Sequence, residues 1–555
     1  MGKIDYPISF SRRACISRIG LCLTGTIGAG LQGAYGRTNM NDRPADSQIR
    51  FAAVEPWDQG APAIHGPNIH GASANKPLLY AIPATGERPM SFAGEGLPEG
   101  VHVDPATGFI TGAIRREGEF RVMLRAENRH GKAEKEFVIA IGQGLALTPP
   151  MGWNSWNAWR RWVDDAKVRS AADGLVRTGL AARGYTYVNI DSCWQGARGG
   201  PLNAIQPNRK FPDMRLLSDY IHARGLKLGI YSTPWAVPWG CEKKEDVEDW
   251  GGPELIGCSS GDPEPDGPRD YFFYLGKYVG IEKHEMQDVA QWVEWGVDFL
   301  KYDWTQTDAK CLERMGRVVK AAARDIVLSI CTGARLKYID AYKAWAQMWR
   351  GTGDTDDSWA NILGNGFLAD DCQQEDWRPY IGPSGWHDLD MLAIGPQADT
   401  RTGTRPNRLT PDEQIMHMTV WALYPSPLIL SCDLEALNDF ELRLLGNEEV
   451  IAVNQDRLGK PAVRLHEERS QSLVPGWPHH NGRVWGRPLA DGSFAVGFFN
   501  LADRPDELSL DLHDLGLHGS ASARNLWERR NLGGIWKRLS IMVPAHGAQL
   551  IRVTP

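Results

Sequence analysis

The chain has 555 residues, 42% of them hydrophobic and 23% charged, with a formal net charge of −7. A single core rarely grows past roughly 250–300 residues, so more than one domain is required. The mixed, mildly acidic charge offers no basic face for a nucleic acid.

Residues 1–36 read as an export signal. "SFSRRACISRIGLCLTGTIGAGLQGAYG" has a basic start, a weakly apolar run from about Ile19 and small residues suited to cleavage. Arg12 and Arg13 follow Ser11, as in twin-arginine signals, with a Sec signal as the alternative. Either route predicts an exported protein, periplasmic or secreted. No later stretch approaches a membrane span, so no membrane partner is expected once the signal is gone. Residues 37–50 are polar and read as a linker.

Residues 51–145 read as a small β domain. Alternating runs such as "FRVMLRAEN" and "KEFVIAIG" are separated by Gly/Pro turns. The segment "LPEGVHVDPATGFITGAI" resembles the repeat signature of Ig-like, cadherin-like modules, with Asp104-Pro105 and Thr107-Gly108 as turn chemistry.

From 146 to 460 short apolar strands alternate with amphipathic helices. "YTYVNID", "LKLGIYS", "FLKYDW", "IVLSIC", "MWRGTGD" and "LILSCDL" read as strands. Helices are expected at "PDMRLLSDYIHARG", "DVAQWVEWGVD", "CLERMGRVVKAAARD", "YIDAYKAWAQ" and "PDEQIMHMTVWALYP". With "MGWNSW" and the segment near "GWHDLDM" there is room for eight strands, which predicts a (β/α)₈ TIM barrel. A doubly wound open sheet is the alternative, but its Gly-rich first turn is missing. Residues 461–555 return to strand patterns and predict an antiparallel β-sandwich.

Seven cysteines follow the signal: Cys193, Cys241, Cys258, Cys311, Cys331, Cys372 and Cys432. An odd number leaves at least one unpaired. Cys241 and Cys258 flank one long polar loop and form the best candidate disulfide. There is no CxxC and no HExxH, so neither a metal nor another cofactor is expected.

Reacting groups of such a barrel lie at the C-terminal strand ends. Those ends carry Trp156, Asp191, Tyr231, Lys301 with Asp303, Cys331, Arg350 with Asp354, Asp388 with Asp390, and Asp433. Recurrent acid fits glycoside hydrolysis or a divalent metal site. Lys301 and Arg350 neutralise the site without a cation, which favours a glycosidase. The 22 tryptophans point weakly the same way, because indole faces stack on sugars as well as filling cores. Any single Asp can equally be a helix cap in a βα loop.

"TPPMGWNSWNAW", "NIDSCW", "LKYDW", "RGTGDTDDSW", "GWHDLDMLAIG" and "VNQDRLGK" resemble, in order, the motifs of the melibiase-type α-galactosidases of glycoside hydrolase family 27. The resemblance implies a retaining double displacement on a terminal α-linked sugar. Asp303 matches the family's nucleophile and Asp354 its acid/base, with carboxyl groups about 5–5.5 Å apart. Lys301, two residues before Asp303 on the same strand face, would hold hydroxyls and favour ionised Asp303. Trp156, Asp191, Tyr231, Arg350 and Asp390 match positions that line the terminal sugar. Asp388 is expected to brace its loop. Cys241 matches a cysteine that is disulfide-bonded in relatives, but Trp304 and Thr305 stand where its partner would be.

Two departures concern specificity. Asp191-Ser192 replaces the family's Asp-Asp pair, which alters recognition on the C4/C6 side. In "SICTGAR", Cys331 and Ala334 are small and Arg335 is long and basic, which opens the choice at C2. An exo-α-galactosidase leads; α-N-acetylgalactosaminidase, β-L-arabinopyranosidase, isomalto-dextranase and a non-catalytic carbohydrate-binding protein are the alternatives. The expected partner is a carbohydrate substrate, and the oligomeric state is not set by these motifs. Within "WRGTGDTDDSW", Asp354 is read as the catalyst, and Asp356 and Asp357 as caps of the following helix.

Overall fold

Eight short runs rich in branched and aromatic residues form one all-parallel sheet. They are β1 (Met151–Asn154), β2 (Tyr187–Ile190), β3 (Lys227–Ser232), β4 (Phe299–Asp303), β5 (Val327–Cys331), β6 (Met348–Arg350), β7 (Trp386–Asp388) and β8 (Leu428–Leu430). The computed structural model describes residue 51 and residues 56–234, 284–303, 309–331, 333–371, 376–400, 403–468 and 482–555. The export signal, the linker, the Cys241–Cys258 pair, Trp304, Thr305 and Cys372 lie outside those residues.

Neighbouring strands follow chain order from β1 to β7, and β8 pairs with β1. The circle closes just after β7, where Leu392 bridges Leu430 and its N–H donates to the Ile429 carbonyl at 2.8 Å. This is the (β/α)₈ barrel read from the sequence. Its strands are buried on both faces, so they are continuously apolar and not alternating.

The crossover helices are α1 (Asp165–Arg177), α2 (Met214–His222), α3 (Glu285–Trp295), α4 (Ala309–Ala321), α5 (Ile339–Trp345), α6 (Trp359–Asp371) and α7 (Pro411–Leu423). Local chemistry sets their ends. Asp164 and Asp213 accept the backbone N–H groups of Lys167 and Leu216, satisfying orphan donors of the first turn. Helix α3 stops at Gly296, whose φ of 86° is cheap only for glycine. Helix α7 opens with Pro411 and a capping box between Thr410 and Glu413. It is buried from Glu413 to Leu423, as a helix wedged between two sheets must be.

On its outer side α7 meets the C-terminal β domain. Six strands order as Val463–Glu468, Gly482–Pro488, Phe494–Asn500, Ala548–Thr554, Ser520–Asn525 and Arg530–Trp536; Asp506–Asp511 and Arg538–Val543 form a second sheet. One face packs a core of its own around Val496, Phe498, Leu508 and Ile551. Trp485, Phe499, Trp527 and Leu550 join the barrel core instead. The Trp527 indole N–H donates to Thr419 of α7 at 3.0 Å. Among the described residues seven tryptophans are fully buried, including Trp153, Trp349, Trp421 and Trp527, so packing accounts for much of the indole content.

The N-terminal β domain folds around Leu78, Ile110, Val122, Leu124, Phe137 and Ile139. Its main sheet orders Ile69–Ala72, Gly131–Ile141, Gly118–Asn128 and Ser91–Glu95; Leu78–Ala81, Phe109–Gly112 and Val101–Val103 pack as a second sheet. The turn chemistry is as read: Asp104 accepts from the N–H groups of Ala106 and Thr107, both at 2.9 Å. This domain docks on the barrel's base, the end where strands begin. Ser73 N–H donates to Asp325 at 2.7 Å just before β5, and Trp57 donates to the Arg177 carbonyl at the end of α1. Gly225, just before β3, has φ 73° and no room for a Cβ, which would lie 2.5 Å from the Phe109 ring.

Candidate active site

The opposite end gathers the polar strand ends. The Asp303 carboxyl ends β4, 6% exposed, and pairs in register with Cys331, which ends β5, 3% exposed. Lys301 lies two residues earlier and donates to Asp191 Oδ2 at 2.6 Å. Burial opposes its charge, but Asp191 and Asp303 outweigh burial and hold the ammonium's pKa above the ordinary lysine range. Lys301 Nζ also lies 5.7 Å from the Tyr231 ring centroid.

Asp191 is fixed from three sides. Asn154, at the end of β1, donates to its Oδ2 at 2.9 Å, Ser155 Oγ accepts its N–H at 2.9 Å, and Oδ1 accepts from Ser192 N–H at 2.8 Å. Ser192 is fully buried directly beside it. Asn154 also caps the short helix Ser155–Trp159 by accepting from Trp156 N–H, so the first motif orients an acid and an aromatic together. Asn154 escaped the sequence reading, although a polar side chain ending an apolar strand is a signal that could have found it.

A second network centres on Arg350, the last residue of β6 and 1% exposed. One guanidinium nitrogen meets Asp390 Oδ1 at 2.5 Å and another meets Asp354 Oδ1 at 2.6 Å. Burial opposes the charge of Arg350, but Asp390, Asp354 and Asp303 outweigh it and raise the guanidinium's pKa. Asp390 has φ 80°, a region that L side chains rarely enter. It is held there by Asp388, which accepts its N–H at 2.8 Å, and by Trp421, which donates to its carbonyl at 2.7 Å. Asp390 Oδ2 in turn accepts from Thr355 N–H at 2.6 Å. Burial, with Asp390 beside it, pushes the Asp388 carboxyl up to about 6.

Asp354 faces outward, with a side chain 56% exposed. Its loop is tied down by Asn361 and Asn365 of α6, which donate to the carbonyls of Asp354 and Gly353. Asp356 accepts from Ser358 N–H and so shapes the entry to α6. Asp357 corrects the sequence reading. It is no helix cap: it is fully buried and bonds Arg405 and Arg408. Its partners lie 48 and 51 residues away, where no local pattern could reveal them.

The small residues of the β5 loop sit close by. Ala334 is buried and its N–H donates to the Arg350 carbonyl at 3.1 Å. Arg335 is exposed; its backbone N–H is held by the Tyr342 hydroxyl at 3.0 Å, and among the described residues its side chain makes no hydrogen bond or ion pair. Asp433 behaves as a cap, accepting from Glu435 N–H. Among the described residues no group of three or more His, Cys, Asp or Glu is arranged to hold a metal ion. The mouth therefore presents a buried carboxylate between two cations, an outward carboxyl bonded to one of them, and flanking groups able to grip a polyhydroxylated ring.

Comparison with known proteins extends this picture. A family model described as alpha galactosidase A matches residues 148–237 and 274–456, and one for the alpha galactosidase C-terminal beta sandwich domain matches 479–553. Alpha-galactosidase 2 of Arabidopsis thaliana is 32% identical over 426 residues, covering 75% of this chain and 91% of the relative. Alpha-galactosidase A of Cellvibrio japonicus is 32% identical over 438 residues, covering 74% and 93%. A candidate α-galactosidase from Bacteroides fragilis superposes with a TM-score of 0.73 at 31% identity, covering 91% of this chain and all of that one. That span reaches past the barrel into the N-terminal β domain. A family 27 β-L-arabinopyranosidase of Geobacillus stearothermophilus in complex with arabinose gives 0.61 at 27% identity, covering 74% and 98%.

Proposed function

The chain belongs to the α-galactosidases of glycoside hydrolase family 27, and from that premise we infer that it hydrolyses terminal α-linked galactose by retaining double displacement, with Asp303 as nucleophile and Asp354 as acid/base. The observation that carries the assignment is the contrast between the two carboxyls around one arginine. Asp303 is 6% exposed and lies in the field of Lys301 and Arg350. Asp354 bonds Arg350 from the solvent side, where a leaving group would depart.

In the first step an Asp303 oxygen bonds to the anomeric carbon as the bond to the leaving oxygen breaks, and Asp354 supplies that oxygen's proton. In the second, water attacks the same carbon, gives its proton to Asp354 and frees Asp303. Asp191, Lys301, Arg350 and Asp390 supply charged hydrogen bonds to ring hydroxyls, while Trp156 and Tyr231 supply apolar walls. Because these groups are already locked by one another, little reorganisation is needed when charge develops.

One observation favours a second reading. Ser192 places a short neutral side chain, fully buried, where the family has a second aspartate. A ring lacking the C6 hydroxymethyl, as in a β-L-arabinopyranoside, would fit such a site. Turnover of nitrophenyl α-galactoside, β-L-arabinopyranoside and α-N-acetylgalactosaminide separates these readings, with Asp303→Asn as control. Preference for galactoside is expected. Preference for either other sugar overturns the galactose assignment, and no turnover of any overturns the enzyme.

A further inference from the structure

Arg160 has no place in the scheme above, yet it stands at the mouth. It follows the helix Ser155–Trp159 with φ 52° and ψ −139°, a conformation suited to glycine and strained for an arginine. Neighbours on both sides hold the kink. The Arg160 N–H donates to the Trp156 carbonyl, while Lys210 and Lys167 donate to the carbonyls of Arg161 and Trp162 at 2.8 and 2.7 Å. The side chain is half-buried, with its guanidinium carbon 5.8 Å from the Trp156 ring centroid. Among the described residues the guanidinium has no hydrogen bond and no ion pair. The helix that Arg160 ends is pinned to the loop of Asp354 and Asp356, where Asn157 donates to the Thr355 carbonyl at 3.2 Å. Burial lowers the pKa of the guanidinium, and the charges of Asp354 and Asp356 oppose that.

Most arginines of the barrel that are this buried are committed: Arg350 to two carboxylates, Arg198 to Asp288. An uncommitted fork of donors, on a strained backbone, beside the carboxyl that faces the leaving group, is arranged for something that comes and goes. We propose that Arg160, Trp156 and Asp356 form the subsite for the departing part of the substrate, and that this part is a neutral sugar. The proposal rests on the glycosidase reading given above. Asp356 uses one oxygen on Ser358, and among the described residues its other oxygen accepts no hydrogen bond. A planar donor, a carboxylate acceptor and an indole together match the hydroxyls and C–H faces of a pyranose. An anionic leaving group would meet the charge of Asp356.

The test compares an α-1,6-galactosyl disaccharide with nitrophenyl α-galactoside, whose leaving group has no hydroxyls to bind. Arg160→Gly removes the side chain and relieves the backbone, so its melting temperature is expected to match or exceed that of the parent. The ratio of kcat/KM for the disaccharide to that for the aryl glycoside is expected to fall about tenfold or more, as loss of a charged hydrogen bond in the transition state requires. Arg160→Lys should recover part of the ratio. A ratio unchanged within about twofold overturns the subsite, as does a fall of both substrates together with a shifted pH profile, which would make Arg160 a tuner of Asp354. A parent enzyme that turns over neither substrate overturns the glycosidase reading, and this inference with it.

Discussion

Asp357→Asn separates the roles packed into "RGTGDTDDSW". Asp357 accepts five hydrogen bonds: from Arg405 at 2.5 and 2.9 Å, and from Arg408 through its backbone N–H at 2.9 Å and its guanidinium at 3.0 and 2.8 Å. Burial opposes the charge, yet these bonds hold its carboxyl below the usual range. Removing one partner of a buried pair costs roughly 3–5 kcal/mol. Here the arginines left behind reach water, with side chains 27% and 57% exposed, so the lower end applies. About 3 kcal/mol corresponds to about 6 °C in Tm for a domain of this size. The folded pKa is depressed, so this stability is present above the unfolded value and is lost as pH falls through the folded one; the gap between parent and variant should close at low pH. Thermal unfolding and aryl-galactoside turnover are measured side by side below the transition. An Asp357→Asn protein that melts within about 1 °C of the parent, but has lost activity as completely as Asp354→Asn, refutes the structural role and moves the acid to Asp357.

Asp388→Asn should stabilise the protein at pH 7 relative to pH 4, by up to about 3 kcal/mol from a shift of roughly two units. The folded pKa is raised to about 6, so the parent's favourable term is full below the unfolded value and vanishes as pH rises through about 6; urea titrations showing equal gaps at both pH values would contradict this. Asp354→Ala should slow the first step far less for good leaving groups than for poor ones. A series of aryl galactosides with no dependence on leaving-group acidity removes its acid role. Asp325→Ala strands the Ser73 N–H and removes the ion pair of Lys76, which keeps only the Lys320 carbonyl, so limited proteolysis between the N-terminal domain and the barrel should become faster while kcat holds; unchanged proteolysis would show that the remaining contacts hold the two together.

The barrel was legible because its strands are short apolar runs that end in, or are followed by, a polar residue, and several helices carry their own start or stop. "LKYD" and "MWRGTGD" therefore located Lys301, Asp303 and Arg350 without any long-range information. What stayed hidden is what depends on distant segments. Asp357 looks like a cap until Arg405 and Arg408 arrive from beyond β7. Nothing near Asn154 declares that it will reach Asp191 beyond the end of the neighbouring strand. Arg160 is silent in sequence because positive φ is not written in a residue that is neither Gly nor Asn. The docking of the N-terminal domain was equally invisible, since its contacts use ordinary residues such as Ser73, Trp57 and Phe109.

That domain covers the base, and the chemistry faces the other way. An attachment made through it, for instance at the amine of Lys132 with its 71% exposed side chain, would hold the enzyme on a bead or resin with the mouth pointing into the flowing solution. Random coupling gives no such control. The N-terminal domain thus serves as an orienting handle, and a column prepared this way should retain more activity per bound molecule than one coupled at random.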